Sequence, residues 1–147
     1  ENKCNYDISK DSLEHKLCIY LSIANYIEQS EIMKYGIPNI LLAVNAPINI
    51  YKNNILKSKY IEYLKNNNEA IQIKVNGKAY IFKISAILAL PEALGPIYLS
   101  TDRFKNKRTI VIDIGSLNIT YCLYENLIPK IESMVVSNQG INILRGK

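Results

Sequence analysis

The sequence predicts an α/β fold, a mixed sheet with flanking helices, and three observations carry that expectation. Two continuous apolar runs, NILLAVN at 39–45 and SAILAL at 85–90, have the length and composition of central strands covered on both faces. Residues 12–29 show apolar positions at helical spacing. Asn76-Gly77 sits between two β-prone runs, the strongest short hairpin signal in the chain. At 147 residues, 48% hydrophobic and 21% charged, the chain has the size of one ordinary domain or two small lobes and can bury a core.

Several classes of function fall away on bulk properties. No apolar run approaches the roughly 20 residues of a membrane span, and the opening ENKCNYDISK has no signal-peptide apolar region. The three cysteines, Cys4, Cys18 and Cys122, are odd in number and show no metal-ligand spacing, so they read as reduced thiols of a cytoplasmic protein. The net charge of +5 is spread along the chain, and its one cluster, Lys105-Asn106-Lys107-Arg108, is not interleaved with aromatic residues. It reads as a solvated basic surface and not as a nucleic-acid interface. The chain begins without Met and is expected to be an excised piece of a longer protein.

The elements follow in order. Residues 1–10 are polar, with Tyr6 to Ile8 able to finish a strand. Asp11 and Glu14 have capping-box spacing, and Leu13, Leu17, Leu21, Ala24 and Ile27 then mark one apolar helical face over 12–29. His15, the only histidine, reads as a solvent-facing residue near the helix start. Gly36 and Pro38 break the chain before the strand at 39–45, which Ala46-Pro47 ends. Residues 51–67, with Ile55, Tyr60, Ile61 and Leu64 among lysines and asparagines, predict an exposed helix. Ile71–Val75 and Tyr80–Ile84 flank the Asn-Gly turn, and the apolar run 85–90 stops at Pro91-Glu92.

Two stretches hold candidate chemistry. In Pro91–Tyr98 a strand ends and Glu92 is expected in the first turn of a short helix. The helix dipole alone explains a carboxylate there. That is the plainer reading, and a general base or water-positioning group at the carboxyl end of a sheet strand is the sharper alternative that the residues leave open. After a polar boundary at 99–108, Thr109 to Ile112 read as a strand buried on both faces that delivers Asp113 and then Gly115 into a small, polar turn. Ile119 to Tyr124 follows as a second strand. Such a turn presents N–H groups to an anion, because glycine brings no Cβ, while the acid can hold Mg²⁺. An ordinary hairpin with an Asp-Ile-Gly-Ser turn is the other reading. Ile128 to Val136 gives a third β run, Ser137–Gly140 turns the chain, and Ile141 to Leu144 starts a helix.

The order strand, D-x-G turn, strand, strand, glycine, helix start opens the ribonuclease-H-like lobe of actin, sugar kinases and Hsp70-type ATPases. From about Ile37 to Leu144 the chain resembles the plasmid-segregation actin-like ATPases of the ParM/StbA type. The segments that carry the resemblance are ILLAVNAPINIY, ILALPEALG, VIDIGSLNIT and NQGINIL. The resemblance implies a partial actin-like fold, with residues 1–105 as the later part of lobe I and 106–147 as the first strands of lobe II. It implies that Glu92 orients or activates the attacking water and that Asp113 holds the Mg²⁺ shell through water. It also implies that Gly115, Ser116, Leu117 and Asn118 surround the β- and γ-phosphates of ATP or GTP, with Gly140 near the ribose side.

Where the family has an acid after a threonine-rich turn, this chain has Leu117-Asn118-Ile119-Thr120, and it contains no first phosphate loop and no adenine-side motif. The implied activity is nucleotide-gated filament formation that segregates plasmid DNA. A DNA-binding adaptor of the ParR type would make the DNA contact, with neither direct DNA reading nor a membrane. The full-length protein is then expected to be an ATPase, and this stretch alone to be inactive. An actin-fold small-molecule kinase, a non-polymerising actin-like scaffold, or an unrelated α/β binding module are the alternatives. For the last of these, the test is whether the three β runs form one antiparallel meander.

Overall fold

The computed structural model describes residues 12–30 and 32–142. The chain divides into two compact units, the first drawn from Glu1–Val44 and Ile55–Ala89, the second from Asn45–Asn54 and Leu90–Lys147. Cys4, the possible strand end at Tyr6 to Ile8, Asp11, and most of the helix expected from Ile141 lie outside the described residues.

The first unit is a helix on a small mixed sheet. Helix α1 spans Leu13–Ser30, within a residue of the predicted bounds. Ser12 accepts the His15 N–H at 3.2 Å and caps it. The buried stripe is Tyr20, Ile23, Ala24 and Ile27, while Leu13, Leu17 and Leu21 are exposed. The apolar face expected from the leucines is therefore only half right. α1 is apolar on more than one side, and the sheet takes the side carrying the aromatic ring and the isoleucines.

Three strands, β1 (Asn39–Ala46), β2 (Ile71–Val75) and β3 (Lys78–Pro91), are ordered β1-β3-β2. The β2–β3 hairpin turns at Asn76-Gly77, both at positive φ as a type I′ turn requires. On the other side of β3, the Lys83 N–H donates to Pro38 O, Ser85 Oγ to Ile40 O, and the Glu92 N–H to Ala46 O. The partners advance together along both strands, so β1 runs parallel to β3 and the sheet is mixed.

Tyr20, Ile27, Ile71, Tyr80, Phe82 and Ile84 close this core, with the Tyr20 and Phe82 rings edge to face at 5.7 Å. Helix α2 (Ile48–Lys52) and helix α3 (Asn54–Lys65) fill the predicted 51–67 region, with an added break at Asn53. Tyr60 and Leu64 of α3 are buried, and the Tyr20 hydroxyl donates to the Leu64 carbonyl at 2.9 Å. Burial raises the Tyr20 phenol to about 12, with Tyr63 adding to the shift. His15 is not solvent-facing as expected. It is half-buried, stacked on Tyr60, with Nε2 3.1 Å from the Tyr60 hydroxyl.

Two predicted strands prove to be one. Tyr80–Ile84 and 85–90 run without interruption through the fourteen residues of β3. Nor is β1 covered on both faces: its burial alternates, and Leu41 is 79% exposed. Among the described residues β1 also has a sheet neighbour on one side only.

The second unit is an antiparallel meander with short helices. Helices α4 (Gly95–Leu99) and α5 (Thr101–Phe104) lead into β4 (Arg108–Ile114), β5 (Ile119–Glu125), β6 (Ile128–Pro129) and β7 (Val135–Ser137). β5 pairs antiparallel with β4, β6 and β7. The three expected β runs thus form one meander, the third split into β6 and β7 by a 3₁₀ turn at Ile131–Ser133. Ser133 Oγ accepts the Leu123 N–H at 2.9 Å and donates to the Lys130 carbonyl, tying that turn to β5. The core holds Ile48, Leu94, Ile97, Cys122, Tyr124 and Met134.

Strand β4 is not buried on both faces. Thr109 and Val111 lie on the core side, while Ile110, Ile112 and Ile114 are more than half exposed. As an edge strand of a one-sided sheet, β4 has a core on one side only. Cys18 and Cys122 are free thiols, as the sequence leads one to expect. Among the described residues no helix is long and apolar enough to cross a membrane.

Candidate functional site

Side-chain alternation decides where Asp113 stands. Its Cα partner on β5 is Thr120, and Thr120, Cys122 and Tyr124 all point into the core of the second unit. Asp113 is therefore on the core-facing side of β4, but near the strand's end, where that core has run out and the residue is exposed. Among the described residues its carboxylate has no hydrogen bond and no ion pair.

The turn that follows is narrow. The Gly115 N–H donates to the Asn118 carbonyl at 2.8 Å and leaves Ser116 and Leu117 at the tip. A Cβ on Gly115 would come within 3.0 Å of both Asn118 O and Asn118 Oδ1, so the turn needs glycine for room. Neither Ser116 nor Leu117 has positive φ, so this is not the primed turn that normally closes a two-residue hairpin. The turn is braced from outside. The Ile141 N–H donates to Gly115 O at 3.1 Å and the Asn142 N–H to Ser116 O at 3.0 Å. Gly140 is buried directly behind the turn, and a Cβ there would lie 2.3 Å from Ser116 O. The structure thus brings Gly115, Ser116, Leu117 and Asn118 together with Gly140.

Glu92 is in the same compact unit but on a different turn. β3 ends at the fully buried Pro91, and the Glu92 N–H donates to Ala46 O at 3.2 Å. Glu92 is half-buried and precedes the helix, which begins only at Gly95. The expected place in the helix's first turn is corrected here. Pro96 suits the opening of a helix, and burial of Leu94 holds the entry one turn later than the sequence suggests. Between them Ala93 sits at φ +65°, a left-handed conformation that costs an L-residue about 1–2 kcal/mol. Sequence reasoning misses it, because alanine carries no turn signature as glycine or asparagine does.

The donor set limits the chemistry. Among the described residues no three His, Cys, Asp or Glu side chains gather into a metal site. A hard divalent cation at Asp113 would have one carboxylate and would complete its octahedron from water and anion oxygens, which is the usual habit of Mg²⁺. His15 is in the first unit and hydrogen-bonded to Tyr60. In the core of this unit, burial pushes up both the Cys122 thiol and the Tyr124 phenol, and the Tyr124 hydroxyl is fully buried without a hydrogen-bond partner. A glycine-opened turn plus one unpaired acid can bind an anion with its cation. It offers no covalent chemistry.

The family described as actin-like proteins, N-terminal domain, matches residues 5–95. No curated protein matches the chain. Among solved structures, the Alp12 filament shares 29% identity over 97% of this chain and 42% of its own, with a TM-score of 0.61. The AlfA filament from the B. subtilis plasmid pLS32 is 15% identical over 91% of this chain and 45% of its own, with a TM-score of 0.66. It has also been solved as a filament bound to AMPPNP. The apo psk41 ParM protein is 17% identical over 97% of this chain and 46% of its own, with a TM-score of 0.63. The chain therefore spans less than half the length of each of these actin homologues.

Proposed function

This chain belongs to the actin-like proteins, and from that premise we propose that its full-length protein is a nucleotide-gated filament subunit that segregates plasmid DNA. In this reading residues 1–105 are the later part of lobe I and 106–147 open lobe II. The turn 115–118 takes the β- and γ-phosphates of ATP or GTP through its backbone N–H groups, with Gly140 toward the ribose. Asp113 orients the water shell of Mg²⁺, which when bound neutralises phosphate charge. Glu92 orders the attacking water. Subunits associate with copies of themselves, and a DNA-binding adaptor of the ParR type links the filament to DNA in the cytoplasm. The full-length protein hydrolyses nucleoside triphosphate, whereas these 147 residues alone do not.

The observation that supports this most is the Asp113–Asn118 turn itself, an unpaired carboxylate at a strand end followed by a glycine-opened turn with unused N–H groups. The AlfA filament bound to AMPPNP supports the nucleotide, and the Alp12 and AlfA filaments support self-association. Glu92→Ala in the full-length protein should slow hydrolysis by about 100-fold while binding stays within about twofold. Unchanged turnover would remove Glu92 from this role. Light scattering with Mg-ATP and Mg-GTP tests the filament, and absence of nucleotide-dependent assembly at high concentration counts against it.

A further inference from the structure

The brace behind the turn has a directional consequence that rests on planar peptide chemistry. Every peptide bond in the described residues is trans, so each C=O points opposite to the N–H of the next residue. Gly115 O is held by the Ile141 N–H, and Ser116 O by the Asn142 N–H. The N–H groups of Ser116 and Leu117 are thereby turned away from Gly140–Asn142, toward the open side of the turn. The Gly115 N–H is not available, because it donates to Asn118 O. Two donors remain, side by side and aimed the same way.

We propose that the backbone of Gly140–Asn142 is the positioning element of the phosphate turn, and that Gly140, in place of the ribose-side role given above, acts through the turn and not by touching the nucleotide. Any side chain at 140 would meet Ser116 O at 2.3 Å, Ser116 C at 2.4 Å and Leu117 C at 2.6 Å. These are backbone atoms, which cannot swing aside as a flexible side chain would. A Cβ there must push the turn forward, break the two bracing hydrogen bonds and scatter the two donors. The brace also explains how a turn without the favoured primed geometry holds its shape between β4 and β5. The inference rests on the reading of 115–118 as a phosphate site.

The experiment compares affinities of the full-length protein and its Gly140→Ala variant for Mg-ATP and for adenosine, or for Mg-GTP and guanosine if the wild type prefers guanine. Loss of aim by two hydrogen bonds to a charged group should weaken the triphosphate about tenfold or more. The nucleoside should change by less than about twofold, since the turn does not touch it. Equal losses for both ligands, as a ribose contact or general damage would give, overturn the proposal, and so does no loss for either. If the variant fails to fold, wild-type amide resonances decide. Those of Ser116 and Leu117 should move most on adding Mg-ATP, with Ile141 and Asn142 protected from exchange beforehand. Unmoved Ser116 and Leu117 signals overturn it. A wild type that binds triphosphate no tighter than nucleoside, with Ile141 and Asn142 still protected, sinks the phosphate reading while leaving the brace in place.

Discussion

Two strand-end turns in the second unit each offer one carboxylate, and they are held in opposite ways. The Asp113 turn is over-determined, with a hydrogen bond across it and two more from a segment twenty-odd residues downstream. Its backbone angles are ordinary, and glycine supplies clearance at Gly115 and Gly140 without entering the left-handed region. The Glu92 turn is tied to Ala46 O through its backbone N–H and holds an alanine at φ +65°. The first geometry suits a group that must present fixed dipoles to an anion. The second suits a group whose position is held under tension and can shift between states. The contrast fits the proposal that the first turn binds and the second positions the acid.

The sharpest way to break that contrast is to remove the acid from the rigid turn. Asp113→Ala in the full-length protein should abolish the gain in triphosphate affinity that Mg²⁺ provides, about ten- to a hundredfold, as loss of an outer-shell carboxylate typically does. Stripping Mg²⁺ from the wild type with chelator should bring it to the level of the variant. A variant that still responds to Mg²⁺ takes the cation away from Asp113.

The next effect concerns packing. Gly115→Ala places a methyl 3.0 Å from a backbone carbonyl, and overpacking of that kind costs about 1–3 kcal/mol. A lowered denaturant midpoint is expected, and an unchanged one means the turn is looser than drawn. The smallest effect has the opposite sign. Ala93→Gly releases left-handed strain of about 1–2 kcal/mol but adds unfolded-chain entropy of about 0.5–1 kcal/mol, for a net gain of about 0–1.5 kcal/mol. A destabilised Ala93→Gly would show that the turn is not strained, and the comparison would lose its second half.

Much of this architecture is readable from local signals, because local signals decide it. Asn76-Gly77 specifies its own turn through positive φ at both positions, and α1 follows from apolar spacing. The meander follows from β-prone runs separated by turn residues. What escapes the sequence is decided by partners distant along the chain. The leucines of α1 are as apolar as its isoleucines, and only the sheet chooses between them. The runs in β1 and β4 look doubly buried, yet burial alternates along each and only one face meets a core. At the candidate site, Asp113 and Gly115 are visible as a motif. The brace from Ile141 and Asn142 is not, since backbone N–H groups leave no mark on residue identity. Ala93 leaves none either, because alanine carries no turn signature.

The outward side of the second sheet has a practical consequence. Ile110, Ile112, Ile114, Tyr121 and Val135 form a nearly unbroken greasy face, and β4 beside it lies at the edge of its sheet. Faces and edges of this kind invite colloidal association between strands of different molecules. Turbidity from that source rises with salt and warming and is indifferent to nucleotide, so solutions of this chain can scatter light for reasons unrelated to ordered polymerisation. Replacing Ile112 with lysine would place a charge in the middle of the greasy face, leave the core side of β4 untouched, and restore clarity to the solution.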